Sequence, residues 1–151
     1  QVLFEVGNIA FYSRLLDGQY PDTDRLIPTE STTSVEFELP VLARSLERAS
    51  LLTHESRNNV VKMTLDVQNQ LVKLQGDSPE IGNVEEEIGF KNLEGEGLTI
   101  SFNPDYLREA LRASITDSII MNFTQPLRPF TVIPAKQDVN FTQLITPVRT
   151  F

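Results

Sequence analysis

The sequence contains an internal repeat, and this repeat restricts the possible fold more than any other feature. The segment Leu46-Glu-Arg-Ala-Ser50 is echoed by Leu111-Arg-Ala-Ser114 about 65 residues later. The same order of patterns surrounds both segments: an alternating strand pattern comes first, a helical pattern follows, and further strand patterns come after it. We therefore predict a unit of one strand, one helix and three strands that occurs twice.

This order of elements predicts an α+β fold. In the first copy the strands are expected at 34–39, 60–66, 70–75 and 85–90, with a helix at 41–52. In the second copy they are expected at 98–102, 118–124, 129–134 and 141–148, with a helix at 104–114. Asn103 has the residue type of an N-cap, and Pro104 suits the first helical position. A duplicated β-α-β-β-β unit, with its two helices packed on antiparallel sheets, is the expected arrangement.

The residues before the repeat form a different kind of segment. Residues 2–6 and 9–15 alternate apolar and polar side chains on either side of Gly7-Asn8, which predicts a β-hairpin. Residues 23–33 are mostly polar and contain Pro28, which is typical of a linker. Because a strand pattern already begins at the first residue, we expect the sequence to start within a domain.

Each predicted helix has an apolar side and a side with arginines. The apolar side carries Leu42, Ser45, Leu46, Ala49 and Leu52 in the first helix and Leu107 and Leu111 in the second. The opposite side carries arginines one turn apart, namely Arg44 and Arg48 in the first helix and Arg108 and Arg112 in the second. Leu51 falls on the arginine side, where it marks either a contact patch or an ordinary surface leucine.

Composition excludes several classes of protein. The chain has no cysteine, so disulfides and thiolate metal sites are excluded and a reducing cytoplasm is the expected location. No apolar run approaches the length of about 20 residues that spans a bilayer. The formal net charge is −8, which argues against tight binding to a phosphate backbone. The acidic residues are concentrated between positions 77 and 96, however, so net charge is a poor guide to any single face.

No catalytic motif is present. The only histidine, His54, has a sequence context typical of a helix end, and no phosphate-binding loop, nucleophile elbow or zinc spacing occurs. The second possibility, besides a binding protein, is an enzyme: a carboxylate-dependent hydrolase that uses Glu85, Glu86 and Glu87 with Asp22 or Asp24. Against it, neighbouring residues of a strand point to opposite faces. A third alternative is a β-rich protein that self-assembles through Leu51, Leu52 and its edge strands.

Four segments together name a family. They are Leu16-Asp-Gly-Gln-Tyr-Pro-Asp22, Arg25-Leu-Ile-Pro28, Ser101-Phe-Asn-Pro-Asp-Tyr-Leu107 and Leu144-Ile-Thr-Pro-Val-Arg149. In this order, and across the whole chain, they resemble the bacterial replicative sliding clamp family, the β subunit of DNA polymerase III. The resemblance implies that residues 1–28 end the middle domain of such a clamp and that residues 29–151 form its third domain.

The resemblance also implies a function without catalysis. In such clamps two three-domain subunits close head to tail into a ring around duplex DNA, and the ring tethers the replicative polymerase. The clamp loader and other partners insert a short peptide, which begins with glutamine and ends in leucine and phenylalanine, into a pocket between the second and third domains. No cofactor or metal is implied.

The resemblance assigns residues to three surfaces. The peptide pocket would include Pro21, Arg25, Leu26, Asn103, Tyr106, Pro129, Leu144, Thr146, Pro147, Val148 and Arg149. The interface that closes the ring would include Arg48, Leu51, Leu52, Glu85, Glu86 and Glu87. The surface that faces DNA would include Arg44, Arg108 and Arg112.

Overall fold

The structure is a computed structural model that describes residues 1–53, 59–136 and 141–150. The predicted helix end at His54 lies outside these residues. A hairpin comes first, with strands β1 (Val2–Val6) and β2 (Ile9–Ser13), and a short 3₁₀ turn follows at Thr23–Arg25. The first repeat contains β3 (Thr33–Glu38), α1 (Leu39–Ser50), β4 (Val61–Asp66), β5 (Leu71–Ser78) and β6 (Gly82–Glu87). After β7 (Asn92–Gly95), the second repeat contains β8 (Leu98–Phe102), α2 (Pro104–Ala113), β9 (Ser118–Phe123), β10 (Phe130–Pro134) and β11 (Gln143–Ile145).

The duplicated unit of the sequence is present, but several bounds differ; β6, for example, spans Gly82–Glu87 instead of the predicted 85–90. Helix α1 begins at Leu39, two residues earlier than predicted, because Pro40 is tolerated in the first turn of a helix. Strand β11 spans only Gln143–Ile145 of the predicted 141–148, and it ends before Pro147, which has no N–H for a ladder. Strand β7 was not predicted, since Leu93 is its only large apolar residue and four residues are too few for an alternating pattern.

The two repeats exchange their first strands. One sheet has the order β11-β10-β9-β3-β7, and the other has the order β6-β5-β4-β8. Strand β3 of the first repeat therefore pairs with β9 of the second, and β8 of the second pairs with β4 of the first. All these pairings are antiparallel, as the sequence predicts. Each sheet consequently depends on strands from both halves of the sequence.

The core lies between the sheets and the helices. Helix α1 packs on β5, β6 and β3, and α2 contacts both α1 and β11. The predicted apolar sides of both helices are buried, except that Leu52 is only half-buried. Phe130 joins the two sheets. The centroid of its ring lies 5.5 Å from the ring centroid of Phe102 in β8 and 4.9 Å from that of Phe123 in β9. All three phenylalanines are fully buried.

The predicted hairpin pairs only with itself. Its turn lies at Gly7-Asn8, and Gly7 has a φ of +61°, a conformation that glycine adopts at little cost. The hairpin exposes large apolar side chains on both strands, namely Leu3, Phe4, Val6, Ile9, Phe11 and Tyr12. An exposed apolar surface of this extent is typical of a segment that packs against further protein.

Replacing Gly76 by alanine should destabilise the fold. Gly76 lies in β5 beneath α1, and a Cβ at this position would lie 2.3 Å from the carbonyl oxygen of Ala49. Because that atom belongs to the helix backbone, α1 would have to move away from the sheet. We expect Gly76→Ala to lower the free energy of unfolding by about 1–3 kcal/mol in urea denaturation.

Gly97→Ala is the matched control, since a Cβ there would lie 3.6 Å from its nearest neighbour, the carbonyl oxygen of Leu65. Equal stability of the two variants would contradict the close approach of α1 to β5.

Candidate functional site

The first turn of α2 presents two of the predicted pocket residues. The side-chain oxygen of Asn103 accepts a hydrogen bond of 2.9 Å from the backbone N–H of Asp105, so Asn103 is the N-cap that the sequence predicts. Pro104 follows at the first helical position and is buried. Tyr106 leaves 54% of its surface exposed, although it lies between the half-buried Asp105 and the fully buried Leu107. The turn thus holds an aromatic ring at the surface.

The C-terminal segment runs from one sheet to the other. In β11, Leu144 lies opposite Thr131 of β10, and the neighbouring Ile145 is buried. Beyond the strand, Pro147 forms an antiparallel bridge with Phe102, and the N–H of Val148 donates to the carbonyl oxygen of Ser101 at 2.7 Å. The segment therefore covers the free edge of β8.

This path places the segment beside the start of α2. Phe102, the bridge partner of Pro147, directly precedes the N-cap Asn103. Helix α2 also contacts β11, which contains Leu144. Thr146 and Arg149 are exposed on the same segment, while Pro147 and Val148 are half-buried. The structure thus brings the α2 and C-terminal members of the predicted pocket into one region.

A second group of predicted pocket residues lines a cavity of about 340 Å³. Arg25 and Leu26 form one wall, and Pro129 forms part of the other. Pro129 directly precedes Phe130, which lies opposite Ile145 of β11, so the cavity adjoins the start of the C-terminal segment. Sequence analysis missed the remaining lining residues, which are Ile27, Pro28, Thr29, Glu30, Thr124, Gln125 and Arg128. Pro21 is exposed and does not line this cavity.

The residues assigned to a ring interface lie where α1 meets β6. The carboxylate of Glu86 accepts a hydrogen bond of 2.9 Å from Nε of Arg48 and one of 2.8 Å from the hydroxyl of Ser45. A second guanidinium nitrogen of Arg48 also contacts Glu86. The hydrogen bond from Arg48 is the largest cause that holds the pKa of Glu86 below its usual value, despite partial burial, which acts in the opposite direction.

Glu85 points to the other face of β6, as the alternation of a strand requires. Its carboxylate accepts hydrogen bonds of 2.6 Å from Nζ of Lys73 and 2.6 Å from Nε2 of Gln75, and the Lys73 bond is the largest cause of its lowered pKa. Glu87 is exposed. Strand β6 is the edge of its sheet, and Leu51 at the end of α1 leaves 66% of its surface exposed. Glu85 and Glu86 therefore lie on opposite faces of an edge strand, and the exposed Leu51 follows the helix that packs on this strand.

The arginines assigned to DNA lie on and beside a groove between the helices. Arg108 and Arg112 of α2 line this groove, which has a volume of about 190 Å³, together with Leu39, Ala43, Glu47 and Leu111. Arg44 is exposed on α1, and its Nε donates to the carbonyl oxygen of Pro40 at 3.2 Å. Arg108 forms an ion pair of 3.0 Å with Asp105.

The arrangement does not favour hydrolysis. A general acid of a glycosidase needs a raised pKa, whereas the pKa values of Glu85 and Glu86 are lowered. Asp22 forms an ion pair with Arg25 at 2.8 Å in the segment before β3, whereas the glutamates lie on β6 at the edge of the other sheet.

Among residues 1–53, 59–136 and 141–150, no group of three or more acidic or histidine side chains could hold a metal ion. Within the same residues, no helix is long and apolar enough to cross a membrane.

Comparison with known proteins gives a consistent set of relatives. The family model described as "DNA polymerase III beta subunit, C-terminal domain" matches residues 24–149. The chain is 49% identical over 150 residues to the beta sliding clamp of Streptococcus pneumoniae and 46% identical over 151 residues to that of Staphylococcus epidermidis. These alignments cover 99% and 100% of this chain but only 39% of each relative.

Solved structures show the same fold. The DNA polymerase III beta chain of Streptococcus pneumoniae matches with a TM-score of 0.89 and 48% identity, over 98% of this chain and 39% of that one. The DNA polymerase sliding clamp of Bacillus subtilis matches with a TM-score of 0.86 and 43% identity, over 99% of this chain and 39% of that one. The predicted α+β fold with two helices on antiparallel sheets is therefore confirmed.

Acid should remove the contribution of Glu86 to stability. A carboxyl group whose pKa is lowered in the folded chain stabilises it above the pKa of the unfolded state, about 4.3, and this contribution is lost as the pH falls through the folded pKa. We therefore expect Glu86→Gln to unfold more readily than the unaltered chain near neutral pH. The difference in unfolding free energy should shrink as the pH falls below about 4.

Urea denaturation across this pH range checks the expectation. Glu80→Gln, which changes an exposed glutamate in the turn between β5 and β6, is the control and should show a smaller difference. A gap between Glu86→Gln and the unaltered chain that stays constant with pH would rule out the ionised pair as its source.

Proposed function

This chain belongs to the family of the DNA polymerase III beta subunit, C-terminal domain, and we propose that it acts as the third domain of a replicative sliding clamp. Residues 29–151 would form that domain, and residues 1–28 would end the domain before it. The whole protein would be a processivity factor without catalytic activity, located in the cytoplasm. Its ring would encircle duplex DNA and tether the replicative polymerase.

The observation that carries the proposal is the meeting of the C-terminal segment with α2. Tyr106 offers an exposed aromatic ring, and half-buried Pro147 and Val148 offer apolar surface on the segment that bridges to Phe102, four residues before Tyr106. A small apolar slot with a few polar groups suits an extended peptide that inserts a buried anchor side chain. The proposed ligands are the short binding motifs of the polymerase, the clamp loader and other partners.

The adjoining cavity would extend this slot. Arg25, Leu26 and Pro129 line it, and Pro129 directly precedes Phe130, which pairs with Ile145 of β11. The guanidinium groups of Arg25 and Arg149 are exposed and would supply donors at the rim. Pro21, which does not line the cavity, would contribute only by contact with a bound peptide.

The surface of α1 and β6 would close the ring. Leu51 is exposed, Leu52 is half-buried, and β6 is an edge strand that carries Glu85, Glu86 and Glu87. Edge strands and exposed leucines favour association with another chain. The proposed partner is the first domain of a second clamp subunit, with basic side chains opposite the acids.

The proposal also accounts for the negative net charge. A ring holds DNA by enclosing it and has to slide, so only weak contacts from Arg44, Arg108 and Arg112 would be needed. The charge of −8 is compatible with such weak contacts.

Peptide binding tests the proposal. A fluorescent peptide that begins with glutamine and ends in leucine and phenylalanine should bind the chain in an anisotropy titration. We expect a Kd between micromolar and millimolar, because residues 1–28 would supply only the end of the second domain, which forms part of the pocket in such clamps. Tyr106→Ala should weaken binding about tenfold, since a central aromatic contact contributes about 1–2 kcal/mol.

Tyr12→Ala is the control, because Tyr12 is exposed to a similar degree but lies in the N-terminal hairpin. Equal losses of affinity in the two variants, or none in Tyr106→Ala, would contradict the proposed pocket.

DNA binding should be negligible in the absence of a closed ring. At about 0.15 M salt, where contacts to the phosphate backbone are already weakened, an electrophoretic mobility shift assay should show no complex with a linear duplex. A stable complex that is lost in the triple variant Arg44→Ala, Arg108→Ala, Arg112→Ala would contradict topological binding.

A further inference from the structure

A cluster of polar side chains joins the end of α1 to the first turn of α2. It is built from Ser50, the last residue of α1, from Thr53 three residues beyond it, from Asn59, and from Asn103, Asp105 and Arg108 at the start of α2. Neither the sequence patterns nor the resemblance to a family predicts a role for Asn59. Yet Asn59 contacts both Thr53, which lies just after α1, and the first turn of α2.

The oxygen and the nitrogen of the Asn59 side-chain amide form hydrogen bonds with two different parts of the chain. Its oxygen accepts a hydrogen bond of 2.9 Å from the hydroxyl of Thr53, which is fully buried. Its nitrogen donates to a carboxylate oxygen of Asp105 at 2.6 Å and lies 3.4 Å from the side-chain oxygen of Asn103. One side chain thus links the last residues of the α1 region to the N-cap and first turn of α2.

Asp105 receives a second link through its other carboxylate oxygen. Arg108 contacts this oxygen at 3.0 Å, and the same guanidinium nitrogen lies 3.3 Å from the hydroxyl of Ser50. Asp105 also donates its backbone N–H to the capping oxygen of Asn103. The start of α2 is therefore held to the end of α1 by two routes that meet at Asp105.

The backbone of Asn59 is shaped for this contact. Its φ is +37°, on the left-handed side that asparagine tolerates better than most residues. Within the described part of the chain, the other non-glycine residue with positive φ is Gln70, which lies in the turn between β4 and β5. Like Asn59, Gln70 forms a side-chain hydrogen bond: its amide nitrogen donates to the carbonyl oxygen of Val67 at 2.9 Å. Gln70 therefore offers a matched comparison.

From this geometry we infer that Asn59 is a positioning residue of the peptide pocket. The inference rests on the proposed function, since it concerns the same pocket. Tyr106 directly follows Asp105, and more than half of its side chain is exposed, so little packing fixes its ring. The first N–H groups of a helix have no acceptor within the helix, so the orientation of the first turn depends on side chains such as Asn103. Asn59 contacts both Asp105 and Asn103 and thereby fixes the orientation of the first turn of α2, which carries Tyr106.

The experiment separates the side chain of Asn59 from its backbone. Asn59→Gly keeps a positive φ at low cost and removes the three side-chain contacts. We expect its affinity for the peptide used above to fall about three- to tenfold, the range that corresponds to a lost hydrogen bond. Gln70→Gly makes the same kind of change in a turn outside this cluster and should leave peptide affinity unchanged.

A double variant distinguishes positioning from a general loss of structure. If Asn59 acts through Tyr106, then Asn59→Gly should weaken binding much less in a chain that already carries Tyr106→Ala. Amide hydrogen exchange should accelerate at Tyr106 and Leu107 in Asn59→Gly but not in Gln70→Gly.

The outcomes tell the two proposals apart. If the unaltered chain binds the peptide and Tyr106→Ala weakens binding, unchanged affinity in Asn59→Gly overturns the inference alone. Equal losses from Asn59→Gly with and without Tyr106→Ala also overturn it. If the unaltered chain does not bind the peptide, the proposed function fails, and the inference fails with it.

Discussion

The exchange of β3 and β8 between the two repeats is the interaction on which the rest of the structure depends. Each repeat contributes three strands to its own sheet and its first strand to the other sheet. Neither repeat can therefore complete a sheet by itself, and the buried apolar side chains form one continuous core. The cluster of Phe102, Phe123 and Phe130 lies at this exchange and joins strands of both sheets. A fold of this kind should unfold as one cooperative unit, because loss of either exchanged strand exposes both halves.

The strand exchange also determines where the C-terminal segment lies, because it leaves the outer edge of β8 free for pairing. In the first half, β7 follows β6 and pairs with the outer edge of β3. In the second half, the segment after β11 follows the same course and bridges to the outer edge of β8 at Pro147. Residues 146–149 are thus the counterpart of β7, shortened because proline cannot donate to a ladder. Since β8 leads directly into α2, the counterpart necessarily lies beside the first turn of that helix, and the proposed pocket occupies this junction.

Local features of the fold could be predicted from the sequence, because short-range patterns determine them. The buried sides of the helices follow from the spacing of residues such as Leu42 and Leu46, and the start of α2 follows from Asn103 and Pro104. The strand exchange could not be predicted, since an alternating pattern states which face of a strand is buried but not which strand is its neighbour. The helix-to-strand contact of Arg48 with Glu86 and the cavity beside Pro129 depend on this pairing. The role inferred for Asn59 depends on a positive φ, which a single asparagine in a polar segment does not reveal.

The central claim is that the junction of α2, β11 and residues 146–149 receives the peptide. An NMR titration of the ¹⁵N-labelled chain with the unlabelled peptide tests it most directly, because each amide reports its own environment. We expect the largest shifts at Tyr106, Leu144 and Val148, with smaller shifts at Leu26. Shifts concentrated instead on β5 and β6, or at the N-terminal hairpin, would contradict it.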